Sequence, residues 1–270
     1  MLHLIAQRPW AGWGWGELDY AHFITLYPGA RFCDILDNAH NLPLHLAVEL
    51  GLPAALLLCG AALALVWRAR PWAETDSTRQ LAWGVLSVIV LHSLLEYPLW
   101  YGPFQVAFGL SVWFLWRTRA RRGHLSVQPA FEAFWHPARV MVESIAIIII
   151  ASIAYIAWDY HRISQLYLIP KMRASAYRDN TLERVRDTQL FQNQVRFAAL
   201  TTTPLTPDNA VGLHELALDL LHFSPEPRVI EKLIASAQLL GRPEEAEFYR
   251  VRYQVAFAGH YARWAGSPAI

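Results

Sequence analysis

Two short stretches hold the residues best suited to chemistry. DNAHNLPLHLAVELG, Asp37 to Gly51, carries His40, Asn41, His45 and Glu49; HSLLEYPLWYGP, His92 to Pro103, carries His92 and Glu96. Imidazole gains or loses a proton near neutral pH, and residues four apart on a helix share a face, so His45 with Glu49 and His92 with Glu96 read as two His/Glu pairs. His40 and Asn41 stand just ahead of Leu42 and Pro43, where an asparagine can cap the helix that follows. Ionisable groups of this kind beside a membrane span and facing an interior cavity are candidates for a functional site. They do not suit a metal, because the His40/His45 spacing lacks a third ligand and Cys33 and Cys59 fit no ligand pattern. Neither a metal nor a disulfide is expected, and Cys59 reads as a small hydrophobe in an apolar run.

A third stretch, RPWAGWGWGEL from Arg8 to Leu18, alternates Gly12, Gly14 and Gly16 with Trp13 and Trp15. It is not G-x-G-x-x-G and no βαβ pattern follows, so a nucleotide fingerprint is rejected. The glycines permit a tight backbone turn. The tryptophans suit a membrane interface or a platform for sugar rings.

The elements that must position these groups are mostly membrane helices. The chain is 54% hydrophobic with 12 Trp, too apolar for an ordinary soluble domain, while its 17% charge is high for one lying wholly in lipid. The net charge of +1 gives no sign of nucleic-acid binding. Four segments approach the roughly 20 apolar residues of a bilayer crossing: about 44–67, 81–95, 97–116 and 140–158. The second and third form a hairpin whose turn, EYPLWYGP, holds the breakers Pro98, Gly102 and Pro103 and the interfacial rings Tyr97, Trp100 and Tyr101. Arginines set the direction. Arg68, Arg70, Arg79, Arg117, Arg119, Arg121, Arg122 and Arg139 lie between spans one and two or three and four, against Arg8 and Arg31 before span one. The positive-inside bias therefore places residues 1–42, the EYPLWYGP turn and everything after Trp158 outside the cytoplasm. His40, His45, Glu49, His92 and Glu96 then share one membrane depth on one side, which suggests an outward-facing pocket.

MLHLIAQRPW has no basic n-region with a long apolar stretch, so it does not read as a signal peptide. A chain that starts outside without one is expected to be the C-terminal part of a longer polytopic protein. After Trp158 the tail reads as helices: a polar one over 180–200, one opened by Thr206, Pro207 and Asp208, one opened by Ser224, Pro225 and Glu226 and ended by Gly241, and one opened by Pro243 with Glu244 and Glu245. Ala235, Ala237 and Ala246 permit close helix contact, so the tail is either a short tetratricopeptide-like array or a small bundle. The fold expectation is all-α: a periplasmic loop segment over 1–42, a transmembrane domain of about four spans over 43–160, and a periplasmic helical domain over 161–270.

RPWAGWGWGEL, HNLPLHLAVELGLPA and HSLLEYPLWYGPF, in that order, resemble the C-terminal half of the bacterial O-antigen ligase superfamily. The likeness is closest to its protein-directed branch, the O-linked oligosaccharyltransferases that glycosylate pilins. His40, Asn41 and nine residues to Gly51 form the best single match; Ala54 departs from the Gly, Thr or Tyr usual in ligases. The family's N-terminal membrane helices and the arginine-bearing segment before the RPW stretch have no counterpart here. The resemblance implies transfer of a preassembled glycan from undecaprenyl diphosphate to an acceptor hydroxyl, at the outer face of the bacterial inner membrane, without a metal or other cofactor. It implies the lipid-linked glycan, membrane lipid and an acceptor protein such as a pilin as partners. By the same resemblance His40 is the catalytic group, as base to the acceptor or donor to the diphosphate, and Asn41 orients it. His45, Glu49, His92 and Glu96 support the pocket, Arg8 or Arg31 meets the diphosphate, and Trp13, Trp15 and Trp100 contact sugar or lipid. Ligation of O-antigen to lipid A core and a non-catalytic, partner-binding fragment are the rival readings.

Overall fold

The computed structural model describes residues 1–119 and 131–266, with side chains over 1–118 and 143–266; Arg121 and Arg122 lie outside the described residues. Every regular element among the described residues is helical, as expected. The chain forms two compact units, Met1–Leu125 with Arg252–Ile270, and Ser126–Val251.

The first unit begins with two short helices, α1 (Leu2–Gln7) and α2 (Leu18–Ile24), followed by α3 (Leu42–Leu50) and α4 (Leu52–Ala69). The segment read as one span over 44–67 is therefore interrupted at Gly51, and the apolar crossing starts at Leu52. Gly51 sits at φ 86°, and a Cβ there would come within 2.3 Å of the Trp10 carbonyl oxygen; Pro53 follows in the first turn of α4. Only glycine tolerates both the positive φ and the approach. The two helices then behave differently. α3 buries Ala47 and Val48 with Leu4, Ile5, Leu18 and Ala21, each larger apolar side chain contributing about 1.5–3 kcal/mol. Most of α4 is exposed, including Leu56, Leu57, Leu63 and Leu65, which is the pattern of a helix solvated by lipid.

Next come α5 (Ser77–His92) and α6 (Gly102–Arg119), a hairpin closed by Ala82, Leu86 and Leu115 with Trp83, Phe108 and Phe114. Asp76 caps α5 through the Arg79 N–H. Glu74 takes the Arg79 guanidinium at 2.7 Å and the N–H groups of Thr75 and Asp76; these hydrogen bonds, the Arg79 one first, pull its carboxyl down to about 2. At its 16 residues α5 is about 24 Å long, short of the ~30 Å apolar core.

The second unit holds the long helix α7 (Phe131–Ser164), then α8 (Thr181–Arg184), α9 (Gln192–Thr202), α10 (Ala210–Leu221), α11 (Pro227–Leu239) and the start of α12 (Pro243–Ala256). Among the described residues two helical stretches are long and apolar enough to cross a membrane, Leu52–Ala73 and Glu143–Tyr167. The polar helix expected over 180–200 is broken between α8 and α9. The fully buried Asp159 carboxylate takes the Thr188 hydroxyl at 2.6 Å and the N–H groups of Leu190 and Gln189, so those amides are bonded across the unit instead of along a helix. Likewise α10 starts at Ala210 and not beside Pro207, because Asn209 accepts from the Thr206 N–H in a preceding turn. Gly241 does end α11, at φ 71°, and Pro243 opens α12 with Glu244 and Glu245 in its first turn. In the first unit the chain closes with the end of α12, where the Arg252 guanidinium donates to the Ile24 carbonyl at 2.8 Å, and with α13 (Ala258–Ala265).

Candidate functional site

The site begins with α3. Asn41 caps it as expected, its Oδ1 accepting from the Leu44 N–H at 3.0 Å, while its Nδ2 donates to the Leu94 carbonyl at 2.9 Å. The Leu42 N–H donates to the Ser93 carbonyl at 2.8 Å. These two bonds join the start of α3 to the end of α5, some fifty residues later in the chain. They bring His40 to Glu96: Nδ1 lies 2.8 Å from Oε2, with both side chains about half exposed at 51%. Among the described residues Nε2 of His40 has no partner. A carboxylate on one imidazole nitrogen fixes the tautomer and leaves the other nitrogen as the one with an open lone pair. The edge of the Tyr97 ring meets His40 at 4.9 Å between centroids, and Tyr97 stacks on Tyr101.

His40 stands at φ 50°, in the left-handed region that costs a residue bearing a Cβ about 1–2 kcal/mol. Its N–H donates to Oδ1 of Asn38, a residue 4% exposed that the sequence reading passed over. The signal for it is an asparagine two positions ahead of the histidine, the spacing of an Asx turn.

His45 and Glu49 do share a face, with Nε2 and Oε2 3.4 Å apart, but both are 2% exposed and neither is open to a ligand. His45 Nδ1 accepts the Ala39 N–H at 3.4 Å, which places the ring hydrogen on Nε2, toward Glu49. The Trp100 ring meets His45 edge-on at 5.0 Å. His92 and Glu96 separate: His92 lies against Phe104 at 5.7 Å while Glu96 turns to His40.

The RPWAGWGWG stretch docks by its backbone. The N–H groups of Trp13 and Gly14 donate to the Val48 and Glu49 carbonyls at 2.9 and 3.0 Å, satisfying the open end of α3, and the Leu52 N–H donates to the Pro9 carbonyl at 2.8 Å. A Cβ on Gly12 would lie 2.3 Å from the Glu49 carbonyl oxygen. Trp13 donates its Nε1–H to the Leu4 carbonyl and carries the Arg8 guanidinium 4.2 Å above its ring, whereas Trp15 is exposed. The Arg8 guanidinium forms no hydrogen bond or ion pair among the described residues. Arg31 is different. Its guanidinium donates to the carbonyls of His22, Thr25 and Phe32, and burial lowers its pKa, so its donors are spent on the loop. His22 holds the same loop, Nδ1 against the Tyr27 hydroxyl and Nε2 against the Phe32 carbonyl, both at 2.9 Å, and burial pushes it down to about 4. Asp19, in the first turn of α2, is pushed up to about 7 by burial. No group of three or more metal-ligating side chains occurs among the described residues.

Helices able to cross a membrane and a half-exposed histidine–carboxylate pair define the class: among the described residues, an all-helical membrane protein with His40 against Glu96 at its surface. Residues 80–269 match the family described as virulence factor membrane-bound polymerase, C-terminal, and residues 1–59 match the O-antigen ligase family; the chain belongs to this O-antigen ligase-type superfamily. It is 30% identical over 112 residues to a general O-oligosaccharyltransferase of Acinetobacter baylyi, an alignment covering 40% of this chain and 19% of that relative. The matched part is thus about a fifth of the relative's length. No solved structure matches the chain.

Proposed function

We propose that the chain carries the acid–base centre of an O-oligosaccharyltransferase, moving a preassembled glycan from undecaprenyl diphosphate to a protein Ser or Thr hydroxyl on the periplasmic side of the inner membrane. The observation that carries this is the His40–Glu96 pair with Nε2 open. His40 Nε2 takes the hydroxyl proton as the acceptor oxygen attacks the anomeric carbon. The bond from that carbon to the diphosphate breaks, and undecaprenyl diphosphate leaves with the bonding electrons. Glu96 orients the imidazole and stabilises its cationic form. Arg8, held over Trp13 with unspent donors, is the cation this chain offers the diphosphate, while the exposed Trp15 meets lipid or sugar. In this reading the α5–α6 hairpin supplies two further spans to give four, the domains follow 1–42, 43–160 and 161–270, and the tail docks the acceptor.

The test is co-expression of the membrane-embedded protein with a lipid-linked glycan pathway and a candidate pilin, followed by intact-mass analysis of the pilin. His40→Ala abolishes the glycan mass increment while membrane insertion is unchanged; persistence of the increment removes His40 from the mechanism. The O-antigen ligase match over residues 1–59 favours a second reading, ligation to lipid A core. A lipopolysaccharide ladder in place of a modified pilin would select it.

A further inference from the structure

His40 is presented by a backbone that does not hold itself. The residue is left-handed and half exposed, and the two peptide N–H groups leading into it, those of Ala39 and His40, both end on side chains: His45 Nδ1 at 3.4 Å and Asn38 Oδ1 at 3.0 Å. Those side chains are 2% and 4% exposed, and the His45 ring is fixed in turn by the equally buried Glu49, 3.4 Å from its other nitrogen. Three polar side chains are thus withdrawn from water around one turn. Capping α3 does not require them, since Asn41 already takes the Leu44 N–H. A strained residue persists where its surroundings over-determine it, and these contacts supply the constraint. The consequence falls on the imidazole: with the peptide planes on its N-terminal side fixed, His40 has its Nδ1 held at Glu96 and its Nε2 without a partner among the described residues.

We propose that Asn38 and the His45–Glu49 pair are positioning residues for His40, clamping the turn that aims its ring at Glu96 and at the acceptor. This rests on His40 being the proton acceptor for its meaning, but not for its test. In the native membrane protein, Asn38→Ala lowers kcat by about tenfold to hundredfold, the effect of a small misplacement of a reacting group, with donor KM within about twofold of wild type. Asn38→Asp keeps an acceptor at Oδ1 and restores kcat. His45→Asn sets an amide oxygen where Nδ1 stood and retains more kcat than His45→Gln, whose amide reaches only toward the Nε2 position.

A readout independent of turnover is the low-field Nδ1–H proton resonance of His40 in the detergent-solubilised protein, assigned by its loss in His40→Ala. It disappears in Asn38→Ala and His45→Gln at unchanged helical circular dichroism, and survives in Asn38→Asp. Wild-type resonance and kcat in both Asn38→Ala and His45→Gln overturn the clamp. If Asn38→Ala does not fold, the His45→Gln and His45→Asn pair decides on the same two readouts. A protein that transfers no glycan but shows this resonance pattern keeps the clamp and sinks the catalytic reading.

Discussion

In the α10–α11 pair the interior positions are apolar apart from His214 and Ser236, which bond each other at 3.0 Å; around the HN turn the buried positions include Asn38, His45, Glu49 and Ser93. Leu213, Leu220, Val229, Ile230, Leu233 and Ile234 give the tail its hold through contact area, a force without direction. The turn is held by hydrogen bonds that specify where each atom lies and contribute only about 0.5–1.5 kcal/mol apiece. The contrast separates a module held by contact area from one held by directed hydrogen bonds.

Breaking the α3–α4 junction at the glycines that let the RPW stretch dock is expected to have the largest effect. Gly51→Ala and Gly12→Ala each drive a Cβ to 2.3 Å from a backbone oxygen at positive φ, and should cost at least about 4 kcal/mol, seen as loss of the folded first unit in limited proteolysis. Leu233→Ala, at a fully buried position, should cost about 2–5 kcal/mol in the tail and leave the His40 Nδ1–H resonance in place, as checked by thermal melting and NMR.

Acid should act on the first unit with opposing signs. His22 is neutral when folded, with its pKa lowered to about 4, so the stability it contributes is present above about 6.5 and is lost as pH falls toward 4, up to about 3 kcal/mol. Asp19, raised to about 7, does the reverse: the folded state holds its proton more tightly, so stability falls as pH rises from about 4 through 7. Asp19→Asn should therefore steepen the loss of melting temperature on acidification, and His22→Gln should flatten it.

Glu96→Gln is expected to slow transfer by about tenfold to hundredfold with little change in melting temperature, since the pair is half exposed. The smallest effect belongs to a surface ion pair in the tail. Asp219→Ala, which removes the partner of the partly exposed Arg196, should shift stability by less than about 1 kcal/mol by denaturant titration.

Much of the local grammar was readable along the chain. The Asn41 cap, the Gly241 stop, the Pro243 start and the shared face of His45 and Glu49 all follow from contacts within four residues or so. The partnership that matters did not. His92 and Glu96 have helical spacing, yet α5 ends at His92 and Glu96 turns away to a histidine 56 positions earlier. The glycines of RPWAGWGWG announced a turn but not that Gly12 and Gly51 let two backbones meet.

Residue order alone determined that this chain is helical, that long apolar stretches fall where membrane helices belong, and which few residues are chemically able, because periodicity, hydropathy and side-chain type are local properties. Tertiary structure decided where those residues stand: it buried His45 and Glu49, spent Arg31 on carbonyls, set the Arg8 guanidinium over Trp13 and joined His40 to Glu96. The physical reason is that a backbone hydrogen bond from Leu42 to Ser93 costs the closure of a fifty-residue loop, and only the packing of several helices together offsets that entropy.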